Sequence, residues 1–190
     1  MKESERNIPY DISLFLSYLF SSSTPHCIVV DCTNSHDIAK LHPYFIERGA
    51  HVITGNKLAL STSLSLYDEV WRAVREYKRN YMCEVTIGAS IPVITTLTDL
   101  LHSGDAIQMI VGLMSASVGM MLADMFSLSL SFSEALSKAH CRSYLFEDDP
   151  FIDLEGIEVA HKLLILAREM GVPLLLEDIE IEPLVTRREV

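Results

Sequence analysis

Basic residues are in short supply in this sequence. Its 190 residues hold 15 lysines and arginines against 26 aspartates and glutamates, a formal net charge of −11 at pH 7. So acidic a chain has no global attraction for nucleic acid or for an anionic membrane surface, and no basic stripe with interleaved aromatics overrides that. The one basic cluster, Arg72 to Arg79, shares its helical period with Glu69 and Glu76 and reads as a solvated helix face. Cysteine is scarce as well. Cys27, Cys32, Cys83 and Cys141 make neither a CxxC pair nor a zinc spacing. They fall mostly in apolar stretches, where buried free thiols are expected, so a reduced, cytoplasmic compartment is expected. The N-terminal "MKESERNIPYDISLFLSYLF" has acids at its front and no small-residue cleavage site, which excludes a secretory signal reading. Repeats, low-complexity stretches and long linkers are missing too.

What is present is apolar. Hydrophobic residues make up 49% and charged residues only 22%, enough core for one ordinary domain or two small ones. The 18 residues "AIQMIVGLMSASVGMMLA" (106–123) carry no charge and reach the lower end of membrane-spanning length. Gly112, Ser115, Ser117 and Gly119, the flanking Asp105 and Asp124 and the lack of a basic flank favour a buried strand running into a buried helix, with no membrane partner.

The pattern along the chain alternates strand and helix. Asp11 ahead of Leu14, Phe15, Tyr18 and Leu19 reads as a capped helix. "CIVVD" and "HVITG" read as strands, with "SHDIAKLHPYFIERG" a helical crossover ending at Gly49. A crossover of that length predicts parallel strands. A long helix follows, "SLSLYDEVWRAVREYKRN", with Leu66, Val70, Val74 and Tyr77 as its buried stripe. "YMCEVTI" reads as a third strand. After it come a glycine turn, a helix with Pro92 in its first turn, a strand "AIQMIVGLM", two helices, a last long helix and an alternating "DIEIEPL". The class is α/β. The seam falls near Tyr81 to Gly88.

Four stretches carry candidate chemistry. In "FEDDPFIDLEGIEVAHKLLIL", Asp153 reads as the N-cap of a helix over 154–170, with Glu155 in its first turn. Glu158 and Lys162 stand four apart, the spacing of a helix-surface ion pair. Capping does not account for Glu147, Asp148 and Asp149. These form either a solvated acidic loop or a site for a cation, with Lys162, a metal or an amino-group substrate as the partner. "ITGNKLALS" puts Asn56 and Lys57 at a strand's C-terminal end, where open α/β sheets bind ligands, although such a lysine is also an ordinary loop residue. "VDCTNS" brings Thr33, Asn34 and Ser35 to the same edge, as ligand contacts or as helix caps. "EVTIGASIP" offers Glu84 and free carbonyls to a hard cation, or is a plain tight turn.

Taken in order, "VVDCTNS", "HVITGNKLALS", "EVTIGASIPVI", "SGDAIQMIVGLMSASVG", "SFSEAL", "EDDPFIDLEGIEVAHKLLILARE" and "DIEIEP" resemble the homoserine dehydrogenase family, most closely the module fused behind aspartokinase in bifunctional enzymes. The resemblance implies a partial Rossmann-like nucleotide-binding unit over residues 1–82, lacking its GxGxxG part, and an α/β substrate domain over 83–190. It implies NAD(P)-dependent interconversion of L-homoserine and L-aspartate 4-semialdehyde, a step toward threonine and methionine, with NADP or NAD as cofactor. Lys162 resembles the family's proton donor and acceptor, and Lys57 the second active-site lysine beside the nicotinamide. Glu147, Glu158, Asp153 and Ser117 match substrate-binding positions. Thr33 and Asn34, with Lys57, match cofactor contacts. Glu84 and the carbonyls of Ile87, Ala89 and Ile91 match a structural sodium site.

The sequence also departs from that pattern. No GxGxxG occurs, and both ends of the nucleotide half are expected to be cut short. Ala116 stands for a glycine, Ser90 for a glycine whose φ could be positive, Asp148 for a proline, His161 for an arginine and Glu158 for an aspartate. These changes crowd the site, so a non-catalytic remnant that self-associates or docks onto a partner is the rival expectation. Exposed sheet edges point to a homo-oligomer in either case.

Overall fold

The structure is a computed structural model that describes residues 11–21, 26–141 and 150–185. Helix α1 (Ile12–Leu19) starts where Asp11 Oδ1 accepts the amides of Ser13 and Leu14 at 2.9 and 3.1 Å, satisfying donors that a helix start leaves open. Strand β1 (Cys27–Asp31) is followed by two short helices, α2 (His36–Ala39) and α3 (His42–Glu47), where a single helix was expected. Pro43 explains the break, because it cannot continue a preceding helix but suits a first turn. Gly49, at φ +95°, closes α3 as a C′ glycine.

Strand β2 (Ala50–Thr54), helix α4 (Leu58–Ser61), helix α5 (Leu64–Tyr77) and strand β3 (Tyr81–Met82) complete a three-stranded sheet in the order β1-β2-β3. All pairs are parallel, with Val29 opposite Val52 and Val52 opposite Tyr81. Ser63 caps α5, and Val70 and Ala73 form its buried line. Tyr77, expected in that stripe, is exposed. The third strand is shorter than expected, since the chain turns into a 3₁₀ turn over Glu84–Thr86.

Helices α6 (Val93–His102), α7 (Ala116–Leu128), α8 (Phe132–Cys141), α9 (Pro150–Leu154) and α10 (Ile157–Glu169) follow. The expected strand over 106–114 is absent from the described residues. Residues 105–115 and the "DIEIEPL" stretch lack regular ladder pairing, and a 3₁₀ turn occupies Leu176–Asp178. An apolar run becomes a strand only if its amides and carbonyls find a neighbouring strand. Without one, Met109 and Val111 stand 79% and 84% exposed. No helix among the described residues is long and apolar enough to cross a membrane.

The main core packs Val29, Ala50, Val52 and Tyr81 of the sheet with Phe45, Ile46, Val70 and Ala73. Ile165 and Leu166 of α10 belong to the same cluster. That packing fixes α10 against the sheet unit and decides which of its side chains reach the strand ends. The thiols follow the sequence reading only in part. Cys83 is buried, and its thiol is pushed up to about 12 by burial, whereas Cys32 and Cys141 are exposed.

Candidate functional site

The site begins at Asp31, the last residue of β1, which is 3% exposed. Its Oδ1 accepts the Thr33 amide at 2.9 Å and the Thr33 hydroxyl at 2.7 Å. Its Oδ2 lies 3.0 Å from Asn56 Nδ2 and 2.9 Å from His42 Nε2. Burial pushes the carboxyl up, but these donors outweigh burial and hold it below the usual carboxylate value. An ionised carboxylate only accepts, so His42 carries its proton on Nε2 and its Nδ1 accepts from the Tyr81 hydroxyl at 2.9 Å. Burial lowers the His42 pKa and Asp31 only partly opposes it. The imidazole is therefore a neutral strut across the sheet's buried face. Sequence reasoning passed over Asp31 and His42. A lone aspartate closing an apolar strand reads as a turn residue, and nothing local ties it to a histidine in the next helix.

Thr33 thus turns its hydroxyl inward to Asp31, while Asn34 lies exposed beside it. Ser35 caps α2 through the Ile38 amide at 3.4 Å.

Lys57 sits at the N-cap position of α4. Its Nζ lies 2.5 Å from Oε2 of Glu158, in the first turn of α10, with side chains 14% and 16% exposed. Glu158 therefore reaches across to a strand-end loop, a contact the i, i+4 spacing with Lys162 did not foretell. One turn further along α10, Lys162 Nζ donates to the Met114 carbonyl at 2.8 Å. Ser115, next in the chain, caps α7 by accepting the Val118 amide at 3.2 Å.

Asp153 does not cap the lysine helix. It lies within α9, and α10 starts separately at Gly156, whose φ of +81° disfavours any other residue. A Cβ there would also stand 3.1 Å from Ile181 Cγ2. The glycine is the sequence signal that could have located this break. Asp153 instead accepts the Ser117 hydroxyl at 2.9 Å and, more weakly, that of Ser115 at 3.4 Å. A cavity of ≈ 300 Å³ adjoins this contact, lined by Ser115, Asp153, Ala160, Leu163 and Ile181 among others. Glu147, with Asp148 and Asp149, lies outside the described residues. His161, beside Lys162, has a buried Nδ1 with no hydrogen-bond partner, and burial lowers its pKa.

The expected cation loop is organised around the helix that follows it. Glu84 Oε1 accepts the Ile94 amide at 2.8 Å, and Oε2 accepts the Thr95 amide and hydroxyl at 2.9 and 2.5 Å. Glu84 thus caps α6 from outside the helix. Burial raises its pKa, but these donors prevail and hold it below the usual value. The Ile91 carbonyl accepts the Val93 amide at 2.9 Å. Backbone strain falls at Ala89, φ +52°, beside Gly88 at φ +74°, and not at Ser90. Among the described residues no cluster of three or more His, Cys, Asp or Glu side chains is arranged to hold a metal.

Known proteins resemble this chain in sequence and fold. The homoserine dehydrogenase family model matches residues 92–190, and the model for the homoserine dehydrogenase NAD binding domain matches residues 9–84. A bifunctional aspartokinase/homoserine dehydrogenase of Haemophilus influenzae is 35% identical over 92% of this chain and 21% of its own length. A homoserine dehydrogenase of Emericella nidulans is 37% identical over 86% of the chain and 44% of its own length. Among solved structures, a Candida auris protein of unknown function superposes with a TM-score of 0.81 at 29% identity, over 95% of this chain and 51% of that one. A hyperthermophilic archaeal homoserine dehydrogenase in complex with NADPH gives a TM-score of 0.61 at 26% identity, over 75% of this chain and 43% of that one. The chain therefore spans about a fifth of the bifunctional relative and under half of the single-function one. With one family model covering more than half of its residues and a second covering most of the rest, this chain belongs to the homoserine dehydrogenase family.

Proposed function

We propose that the chain performs the substrate and proton-transfer part of NAD(P)-dependent interconversion of L-homoserine and L-aspartate 4-semialdehyde, a step in threonine and methionine biosynthesis. The observation that carries this reading is the meeting of two lysines with neighbouring turns of α10, Lys57 from the loop after β2 and Lys162 from the helix itself. Lys57 reaches Glu158, and Lys162 leaves the same helix one turn later.

A bound nicotinamide supplies the hydride chemistry. The side chains here do the rest. Thr33, Asn34 and Lys57 stand at the C-terminal ends of parallel strands, the edge at which open α/β sheets take such ligands. As the free amine Lys162 takes the hydroxyl proton of homoserine, and as the ammonium it returns that proton in the reverse direction. Glu147, Glu158 and Asp153 hold the substrate ammonium by charge-assisted hydrogen bonds, and Ser117 orients Asp153. The division is placed at residues 1–82 and 83–190, a reading supported in outline by family matches over residues 9–84 and 92–190, the first of which runs two residues past it.

In this reading a sodium ion occupies the loop of Glu84, Ile87, Ala89 and Ile91. An ionised carboxylate keeps lone pairs beyond the ones spent on α6. The enzyme works as a homo-oligomer, with the outer sheet face of Ile28, Val30 and Met82 left exposed in the single chain.

Fluorescence titration with NADPH tests the proposal. Saturable binding that weakens in Lys57→Met supports it. No binding at millimolar NADPH by the folded chain overturns it.

A further inference from the structure

Asn56 is, with Asp31, one of the most connected side chains at the strand ends. It is fully buried, at 0% exposure. Its amide nitrogen donates to Asp31 Oδ2 and to the Ser35 carbonyl, both at 3.0 Å. Its amide oxygen accepts the Leu58 amide at 3.1 Å, and its own backbone amide donates to Thr54 Oγ1 at 2.9 Å. One residue thus fastens the loop after β2 to the loop after β1. Lys57 lies between Asn56 and Leu58, inside the span this side chain bridges.

Helix α4 has only four residues and no side-chain cap at Lys57 itself. So short a helix cannot hold its own geometry, because nucleation costs more than one turn returns. The downstream side is fastened by the Lys57 carbonyl, which accepts the Leu60 and Ser61 amides at 3.0 Å and the Ser61 hydroxyl at 2.8 Å. The upstream side is fastened by two side chains, Thr54 Oγ1 on the Asn56 backbone and the Asn56 amide, and of the two only Asn56 reaches across to Asp31 Oδ2 and the β1 loop. Its anchor, Asp31, is rigid in turn, since His42 and Tyr81 brace it from α3 and β3.

We infer that Asn56 is a positioning residue that transmits the rigidity of the buried Asp31–His42–Tyr81 network to Lys57 and so sets the lysine opposite Glu158. The inference rests on the reading of Lys57 as a site lysine and deepens it. Fully buried, Asn56 presents no surface to a substrate or cofactor. It works by fixing where the Lys57 backbone stands.

The test uses the full chain with its lysines reductively ¹³C-methylated, which keeps their charge. The Lys57 signal is assigned by Lys57→Arg, and its ion-paired position is identified by the shift it undergoes in Glu158→Gln. In Asn56→Ala the Lys57 signal is expected to move to the position it takes in Glu158→Gln, while the melt stays cooperative. Asn56→Asp keeps the shape and the acceptor for Leu58 but sets a second carboxylate against Asp31. Two facing carboxylates raise one proton affinity strongly. The donor is missing while both carboxylates are ionised and returns when one of them binds a proton, so the ion-paired signal is lost at neutral pH and recovers on acidification, a response that a merely structural role would not give. An unmoved Lys57 signal in both folded variants overturns the inference. Should Asn56→Ala fail to fold, Asn56→Asp decides it alone. NADPH titration of the same wild-type sample tests the functional reading separately, so either claim can fail without the other.

Discussion

Lys57 Nζ and Glu158 Oε2 meet at 2.5 Å, one from a four-residue helix after β2 and the other from the first turn of α10. The pair is half sheltered, so its charges are screened less than surface ions and it is not deeply buried either. Lys57→Met or Glu158→Gln should each cost about 1–3 kcal/mol, with the double variant costing about 1 kcal/mol less than the sum. A double-mutant cycle by urea unfolding measures this. Strict additivity would mean that the contact contributes nothing.

Stability should depend on pH through His42. Its folded pKa lies below the ordinary 6.5, chiefly through burial, and His161 is shifted in the same direction. Above 6.5 neither state binds the proton. Below it the unfolded chain takes up protons that the folded chain refuses, so stability falls as pH drops from about 6.5 toward the folded values. Asp31 and Glu84, held below their ordinary values, add a second loss at more acid pH. Urea midpoints from about pH 8 to about pH 5 should decline, and His42→Gln should flatten the decline. An equal slope in the variant would exclude His42 as its source.

Arg168 is almost wholly buried on α10 and clamps α4 to it. Nη1 donates to the Leu60 carbonyl at 2.6 Å, and Nη2 to those of Thr62 and Leu174 at 3.3 and 3.1 Å. Arg168→Met keeps the apolar stem but strands three carbonyls, and should cost about 3 kcal/mol or more. A change within about 0.5 kcal/mol in denaturant unfolding would contradict this.

If Glu84 and its loop hold sodium, the chain melts higher in sodium chloride than in N-methylglucamine chloride of equal ionic strength. A tenfold excess over the dissociation constant corresponds to about 1.4 kcal/mol. Glu84→Gln keeps an acceptor for α6 and should abolish the difference. Equal melting of the wild type in both salts would remove sodium from the proposal.

The parts legible in the sequence are those that neighbours in the chain decide. Asp11 starts its helix and Gly49 closes one where expected, because caps answer only to the backbone within a turn. The parallel pairing of β1 and β2 followed from crossover length alone. The misreadings needed a partner distant in sequence. The apolar stretch before Ser115 has strand-like composition, yet composition does not supply a neighbouring ladder. Glu158 obeys the local helix rule for Lys162, but the packing of Ile165 and Leu166 into the sheet core turns it toward Lys57. Asp31 was hidden for a similar reason. Three of its four donor contacts depend on Thr33 or Asn56 folding back at strand ends, and the fourth crosses to α3.

Lys162 is the residue proposed to carry the proton chemistry of homoserine and aspartate 4-semialdehyde interconversion. The most direct test of that role is NADPH oxidation driven by aspartate 4-semialdehyde, followed in the wild-type chain and in Lys162→Ala. Turnover in the wild type, and its loss in Lys162→Ala by a factor of about 100 or more at an unchanged melting temperature, is the predicted result. Equal turnover in both proteins, or none in a wild type that is folded and saturated with cofactor and substrate, would contradict it.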